Sequence, residues 1–121
     1  MMQILTRADL APHIKQAEKE GLTFCQNTQY YGYFKGTQLL GFTGILWYQK
    51  KAVFKNSYVF PEHRGNGIYR QMLEHRMKLA KRLGVTTVEA TCTAMSLPWY
   101  LKNGAQITKQ FKKFTQVQMT L

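Results

Sequence analysis

The sequence predicts an α+β (α/β) fold in which helices flank a mixed central β-sheet. Between residues 29 and 60, aromatic and β-branched runs of strand length alternate with short polar turns, which indicates an antiparallel meander. From residue 69 the apolar residues recur at helical spacing, and residues 85–91 form another strand-like run. The strand, helix and strand over residues 52–91 therefore predict parallel pairing of the two strands.

The N-terminal elements have shorter signals. The apolar run at residues 2–5 predicts a first strand. Asp9 is the predicted cap of a first helix, whose apolar residues recur at helical spacing until Gly21 ends it. Polar turns at residues 35–37 and 49–51 divide the meander into three strands.

The long helix after residue 68 has the strongest pattern in the chain. Its apolar stripe is predicted to consist of Tyr69, Met72, Leu73, Met77, Ala80 and Leu83. Charged residues occupy the other faces, and Gly84 is the predicted stop. Residues 96–103 then predict a short helix, and residues 107–121 a terminal hairpin or strand pair.

Length and charge bound the class of protein. A chain of 121 residues with 45% hydrophobic and 19% charged residues is expected to form a single globular domain, residues 1–121. Lys and Arg number 17 and Asp and Glu 6, a net charge of +11. This excess is expected to attract a polyanion, such as nucleic acid, an acidic protein surface or a phosphorylated cofactor. Solubility alone is the alternative explanation.

Other classes of protein lack support in the sequence. No apolar run is long enough for a signal peptide or a membrane span. Cys25 and Cys92 are too few for a disulfide framework, and the scattered His residues suggest no metal site. We therefore expect a cytoplasmic protein of a reducing compartment, without membrane or metal, as a monomer or homodimer.

The segment at residues 59–69 carries the clearest functional signal. A strand runs into Arg64-Gly65-Asn66-Gly67, and the long helix follows at once. A helix N-terminus presents free backbone N–H groups at the positive end of its dipole, and glycines let a phosphate approach them. Two glycines that merely form a tight turn are the alternative. The strand before the loop and the helix after it favour phosphate binding.

This segment resembles the first motif of the Gcn5-related N-acetyltransferases (GNAT), V-x-P-x-x-R-G-x-G-[IV]-[GA]-x-x-L-L. The matching residues are Val59, Pro61, Arg64, Gly65, Gly67, Ile68 and Leu73. A second family motif, aromatic-Tyr-x-Lys-x-Gly, resembles residues 99–104. The two motifs lie in the family's order around a predicted strand, so the resemblance spans nearly the whole chain and implies a GNAT-like fold.

The resemblance implies acetyl-coenzyme A (acetyl-CoA) as the cofactor. Backbone amides of residues 64–69 would bind its pyrophosphate, and the strand backbone at residues 58–60 would hold the pantetheine arm. A backbone N–H near Val59 would stabilise the developing oxyanion. The cofactor-binding residues expected from the resemblance are Tyr58, Val59, Phe60, Arg64, Gly65, Asn66, Gly67, Ile68 and Tyr69.

The same resemblance implies the catalytic groups. Tyr100 would donate a proton to the leaving thiolate; an aromatic core anchor is the alternative role. The third strand of the meander carries no acid where many relatives have one, so Glu89 is the candidate base, against an ordinary surface acid. An acceptor amine of low pKa would need less help.

Three departures from the family pattern affect the site more than the fold. Tyr69 stands where relatives usually have Gly or Ala, and Thr93 or Ser96 occupies the region where many carry Asn. The N-terminal portion has room for one helix where many members have two.

The sequence leaves the acceptor open: a protein amine, a small amine or an amine on RNA. The positive charge argues against a polycation and favours an anionic acceptor, an acidic protein surface or a nucleic acid. A nucleic-acid-binding module with the same fold and an unused cofactor site is the alternative function. Residues 109–114, in which lysines alternate with aromatic residues, would then touch RNA; a solvated turn is the alternative. The tyrosines at 30–33 would stack on nucleobases, and filling the faces of the sheet is their alternative role. Transfer of another acyl group or nucleobase modification also stays open.

Overall fold

The computed structural model describes residues 2–24 and 26–121. Within these ranges it contains seven strands, three α-helices and a short 3-10 turn at Pro61–His63. The strands are β1 (Met2–Ile4), β2 (Gln29–Lys35), β3 (Gln38–Trp47), β4 (Lys51–Val59), β5 (Thr87–Cys92), β6 (Gln106–Gln110) and β7 (Thr115–Thr120). The helices are α1 (Arg7–Lys19), α2 (Ile68–Arg82) and α3 (Leu97–Lys102).

The strands form one mixed sheet in the order β1-β2-β3-β4-β5-β7-β6. β4 and β5 pair in parallel, while the other neighbours are antiparallel. The predicted fold class, the three-stranded meander, the parallel pairing across α2 and the terminal hairpin are all confirmed. That residues 1–121 are a single domain stays a prediction.

The start of α1 differs from the prediction. Thr6, and not Asp9, is the N-cap: its hydroxyl oxygen accepts the Asp9 N–H at 3.2 Å. Asp9 is the third helical residue, and its carboxylate accepts the Thr6 N–H at 2.8 Å. The two residues form a capping box, in which each side chain satisfies an N–H that the helix cannot. Leu10 and Ala17 then pack on one face of the sheet.

The long helix α2 packs on the other face, with a stripe that differs from the prediction. Residues 72, 73, 77 and 80 are buried against the sheet as expected. Tyr69 and Leu83 are 38% and 58% exposed, so both lie outside the buried stripe. Arg76 takes the missing position and is only 1% exposed. The spacing of the stripe includes residue 76, but its charge obscured this.

The terminal hairpin has one partly buried strand and one exposed strand. Val117 and Met119 of β7 are buried in the core, whereas all five residues of β6 are exposed. The tyrosines of β2 fill the sheet, because Tyr30 and Tyr31 are buried and Tyr33 is half-buried. Cys92 of β5 is a free cysteine and is buried.

No helix in residues 2–24 and 26–121 is long and apolar enough to cross a membrane. Among the same residues, no three His, Cys, Asp or Glu side chains are grouped as a metal site would require. Cys25 lies outside the described residues. The cytoplasmic location stays a prediction.

Candidate functional site

A cleft of about 970 Å³ opens at the carboxyl end of β4. One wall is β4 itself, from Val53 to Val59, and the floor includes the residues that lead into α2. The far walls are residues 20–23, which follow α1, and residues 91–96 at the end of β5. Phe114, from the turn between β6 and β7, completes the rim.

The cleft exists because β4 and β5 separate. Their parallel pairing ends at Phe54 and Ala90, although β4 continues to Val59. β5 stays paired with its other neighbour, β7, up to Cys92. In the part of the chain that the structure describes, no strand pairs with the β5-facing edge of residues 55–59. Backbone N–H and C=O groups on that edge can therefore bind a ligand.

The loop between β4 and α2 presents a run of free amides. The Arg64 N–H bonds the Pro61 carbonyl at 3.3 Å, and the first bond of α2 runs from the Gln71 N–H to the Gly67 carbonyl. Between them, the N–H groups of residues 65–70 have no acceptor among the described residues. The predicted run of amides, 64–69, thus shifts by one residue, because the Arg64 N–H closes the preceding turn.

Gly65 and Gly67 give this loop its shape. Their φ angles of 83° and 75° lie in the left-handed region, which residues with a Cβ rarely adopt. A Cβ built at either glycine would meet nothing within 4 Å, so the space in front of both is open. Open space, free amides and a helix N-terminus together fit a pyrophosphate. The residues present therefore fit the phosphate end of coenzyme A.

The Arg64 side chain turns away from the amide run. Its Nε donates to the Val59 carbonyl and its Nη2 to Glu20 Oε1, both at 2.8 Å. The guanidinium also lies over the Tyr58 ring, whose hydroxyl donates to the Glu20 carboxylate. The hydrogen bond from Tyr58, and then that from Arg64, lower the pKa of Glu20 below its usual range. Arg64 therefore ties the loop to the end of α1.

Most of the other predicted cofactor residues line the cleft, but Phe60 and Asn66 are not among its lining residues. Tyr58 and Val59 line it and are buried, while Phe60 is buried in the core on the α1 side. Ile68 is buried under the first turn of α2 and also lines the cleft. Tyr69 lines the cleft too, at the position where the family pattern has a smaller residue.

Tyr100 lies deep in the core. It is 2% exposed, its ring meets Trp99 edge-to-face at 5.1 Å, and it is not a lining residue of the cleft. Burial raises the pKa of its phenol well above the usual range, and the nearby Arg76 partly opposes this. The tyrosine thus stays protonated across the physiological range. Its role as proton donor stays a prediction.

Glu89 lies away from the cleft. Its carboxylate is 3.5 Å from Lys51 Nζ, near the amino ends of β4 and β5. Among the described residues that line the cleft, Glu20 supplies the carboxylate and His63 supplies the imidazole. The structure brings Glu20 to the site from a distant helix end, a contact that no local sequence pattern indicates. The role of Glu89 as base stays a prediction.

Arg76 is the other residue that the sequence analysis missed. Its Nη1 donates to the Gly44 carbonyl at 3.3 Å and to the Lys55 carbonyl at 3.0 Å, and its guanidinium lies over Phe54. The β3–β4 register shifts here, because Ile45 pairs with Phe54 and leaves an extra residue in β4. Arg76 therefore satisfies carbonyls that this bulge removes from the ladder. The bulge coincides with the end of the β4–β5 pairing.

The residues after β5 form the wall opposite β4. Thr93, Met95 and Ser96 line the cleft, and the Ser96 hydroxyl donates to the Thr93 carbonyl at 3.5 Å. Thr93 and Ser96 thus both lie at the site where the family pattern predicts an Asn. Met95 is 93% exposed at the rim.

A mixed sheet that separates over a helix N-terminus, with free amides below, forms a cleft suited to an extended ligand that ends in a diphosphate. The sequence matches the model of the acetyltransferase (GNAT) family over residues 1–105. The chain therefore belongs to this family, as the sequence analysis predicted. No curated protein is significantly similar to it.

Solved structures support the fold. The chain is similar to the ribosomal-protein-S18-alanine N-acetyltransferase of Escherichia coli, with a TM-score of 0.75 and 18% identity over 100% of this chain and 92% of that one. It is similar to an IAA acetyltransferase of Bacillus cereus, with a TM-score of 0.74, 18% identity, and coverage of 100% and 99%. A GNAT family acetyltransferase of Elizabethkingia anophelis, solved with acetyl-CoA bound, has a TM-score of 0.73, 15% identity, and coverage of 100% and 97%. The predicted cofactor is thus the one bound in this neighbour.

Proposed function

We propose that this protein transfers an acetyl group from acetyl-CoA to a primary amine by direct attack. The observation that carries the proposal is the continuity of one cleft. The unpaired edge of β4, residues 55–59, leads into the free amides of residues 65–70. A ligand with an extended polar arm and a diphosphate would satisfy both sets of groups at once. Membership of the acetyltransferase family supports the same conclusion.

When bound, acetyl-CoA would supply the acetyl group as an activated thioester. The amides of residues 65–70 would hold the pyrophosphate, and the edge of β4 would orient the pantetheine arm. A backbone N–H of this edge, near Val59, would stabilise negative charge on the carbonyl oxygen. Ile68 and Tyr58, which are buried, form an apolar surface at this end of the cleft.

The cleft-lining Glu20 gives little help in deprotonating the acceptor, and the Nε2 atom of the cleft-lining His63 lies against Gln38 and Glu62. The pKa of Glu20 is lowered, which makes its carboxylate a weak base near neutral pH. Its negative charge is also shared with Arg64. We therefore favour an acceptor amine that is already partly neutral at physiological pH, over a lysine-like amine with a pKa of about 10.4.

The test is direct binding followed by transfer. At 100 times its dissociation constant, a ligand stabilises a protein by about 2.7 kcal/mol. For 121 residues this corresponds to a rise in melting temperature of roughly 10 °C. We expect this rise with acetyl-CoA, and label in one class of acceptor after incubation of cell extract with labelled acetyl-CoA. An unchanged melting temperature together with no labelled acceptor would refute the proposal.

A second candidate is a nucleic-acid-binding module in which the cofactor site is unused. Tyr69 favours it, because its ring lines the cleft at a position where the family has Gly or Ala. If the ring blocks the cofactor, Tyr69→Ala will bind acetyl-CoA and the unaltered protein will not. If both bind, the second candidate is excluded.

A further inference from the structure

The turn between β6 and β7 lies beside the cleft. β7 begins at Thr115, which pairs with Cys92, the last residue of β5. The turn therefore lies at the end of β5 where the cleft opens, and Phe114 is one of the lining residues. We call residues 109–114 the hairpin tip.

The hairpin tip exposes two aromatic rings. Phe111 and Phe114 are each 49% exposed, and the Phe111 N–H donates to the Phe114 carbonyl at 2.8 Å. This bond closes a tight turn, so the two rings project from neighbouring positions. The adjoining strand β6 is exposed along its whole length, and thus does not bury them. Exposed rings grouped beside a functional cleft indicate a binding surface.

The charge of this region has one sign. After Glu89 the sequence contains four lysines and no Asp or Glu. Three of the four lie in the hairpin tip, and Lys109 Nζ lies 5.0 Å from the centre of the Phe111 ring. Lys112 and Lys113 are exposed in the turn itself, and Lys55 adds a positive charge inside the cleft. The tip therefore complements a polyanion.

We propose that the hairpin tip binds a single-stranded nucleic acid, which presents the acceptor amine to the cleft. An acidic peptide would pair with the lysines, but its acidic side chains would not stack on the two exposed rings. A single strand uses both, because its bases stack on aromatic rings and its phosphates neutralise lysines. This inference rests on the proposed function, since it names the class of its acceptor.

The transfer that follows is balanced without a further reactant. The amine nitrogen forms a bond to the acetyl carbonyl carbon, and the carbon–sulfur bond of the thioester breaks. The proton that the amine loses matches the one that the thiolate gains. The nucleic acid leaves with an amide, and no oxidant or reductant takes part.

The test measures binding separately from catalysis. Fluorescence anisotropy is recorded with labelled oligothymidine and oligouridine across a salt series, with the full chain. One double variant, Phe111→Leu with Phe114→Leu, removes the rings and keeps their apolar bulk. A second, Lys112→Gln with Lys113→Gln, removes two charges. The control, Lys81→Gln with Arg82→Gln, removes two exposed charges at the other end of α2.

We expect each ring lost to weaken binding by about 5- to 150-fold. Loss of the two lysines should reduce the slope of log K against log salt by about 1.4, since each phosphate contact of a single strand contributes about 0.7. The control pair should leave both the affinity for the oligonucleotides and the slope of log K against log salt unchanged. The tighter of the two oligonucleotides identifies DNA or RNA as the source.

Three results would overturn the inference. The ring variant binds as tightly as the unaltered protein; the control pair reduces binding as much as the tip pair; or polyglutamate competes as well as an oligonucleotide of equal charge. A melting-temperature assay with acetyl-CoA on the same variants separates this outcome from failure of the proposed function. The inference fails alone if acetyl-CoA binds and a small amine is acetylated without nucleic-acid binding.

Discussion

Substitution of Gly67 by Ala tests separately how the loop's backbone shape affects stability and how the loop binds its ligand. The substitution has two effects, one on the backbone and one on the space in front of it. Gly67 has a φ of 75°, and forcing a residue with a Cβ into the left-handed region costs about 1–2 kcal/mol. At about 4 °C per kcal/mol for 121 residues, the melting temperature should fall by roughly 4–8 °C.

The second effect concerns only the ligand. The added methyl meets no atom of the protein within 4 Å, so it projects into the open space where the phosphate is expected. Loss of one hydrogen bond between an amide and a charged phosphate is worth about 1.5–3 kcal/mol. The dissociation constant for coenzyme A should therefore rise by about 10- to 150-fold, as measured by isothermal titration calorimetry.

Gly84 provides a matched control at the other end of the same helix. Its φ is 78°, and a Cβ there also meets nothing within 4 Å. Gly84→Ala should thus lower the melting temperature by a similar amount and leave the affinity for coenzyme A unchanged. Equal affinity losses in the two variants, or none in Gly67→Ala, would refute the assignment of the loop.

Two further predictions concern Tyr100 and Arg76. Tyr100→Phe should lower kcat about 100-fold with little change in cofactor affinity. Because burial raises the pKa of Tyr100, the unaltered protein should keep this proton, and its kcat should not fall for that reason, as pH rises through about 10. The same loss in Tyr69→Phe instead would assign the proton to the cleft-lining phenol. Arg76→Met removes the donor to the buried Gly44 carbonyl and to the part-buried Lys55 carbonyl, and should reduce the free energy of unfolding in urea by about 2–4 kcal/mol. Arg70→Met, an exposed change on the same helix, should have little effect, and equal losses would contradict the role given to Arg76.

The parts of the structure that local patterns determine could be predicted from the sequence. Strand and helix periodicity gave the order of elements, and the glycines of the loop indicated a phosphate-binding turn before α2. These features depend on residues that are neighbours in the chain. The shift of the amide run from 64 to 65 escaped prediction, because it depends on how the preceding 3-10 turn closes.

The parts that escaped prediction depend on distant contacts. Glu20 is held at the cleft by contacts with Tyr58 and Arg64, which lie 38 and 44 positions away in sequence. Arg76 occupies an apolar position of α2 because two carbonyls at a bulge in β4 accept its hydrogen bonds. The periodicity of the helix α2 carries no information about a bulge in the strand β4. The roles of Tyr100 and Glu89, assigned by motif and by elimination, stay predictions.

The cleft is maintained against the normal tendency of a sheet to close. Residues 55–59 of β4 leave one edge unpaired in the described chain, and residues 65–70 leave six N–H groups without acceptors. Continued pairing of β5 with β4 would satisfy much of that edge, but the pairing ends at Phe54, next to the bulge that Arg76 contacts, while β5 stays paired with β7 up to Cys92. Unpaired backbone groups at two adjoining places weaken the fold unless water or a ligand binds them. A sheet held open in this way, above a helix N-terminus, is therefore better explained by the binding of an extended diphosphate than by the requirements of folding.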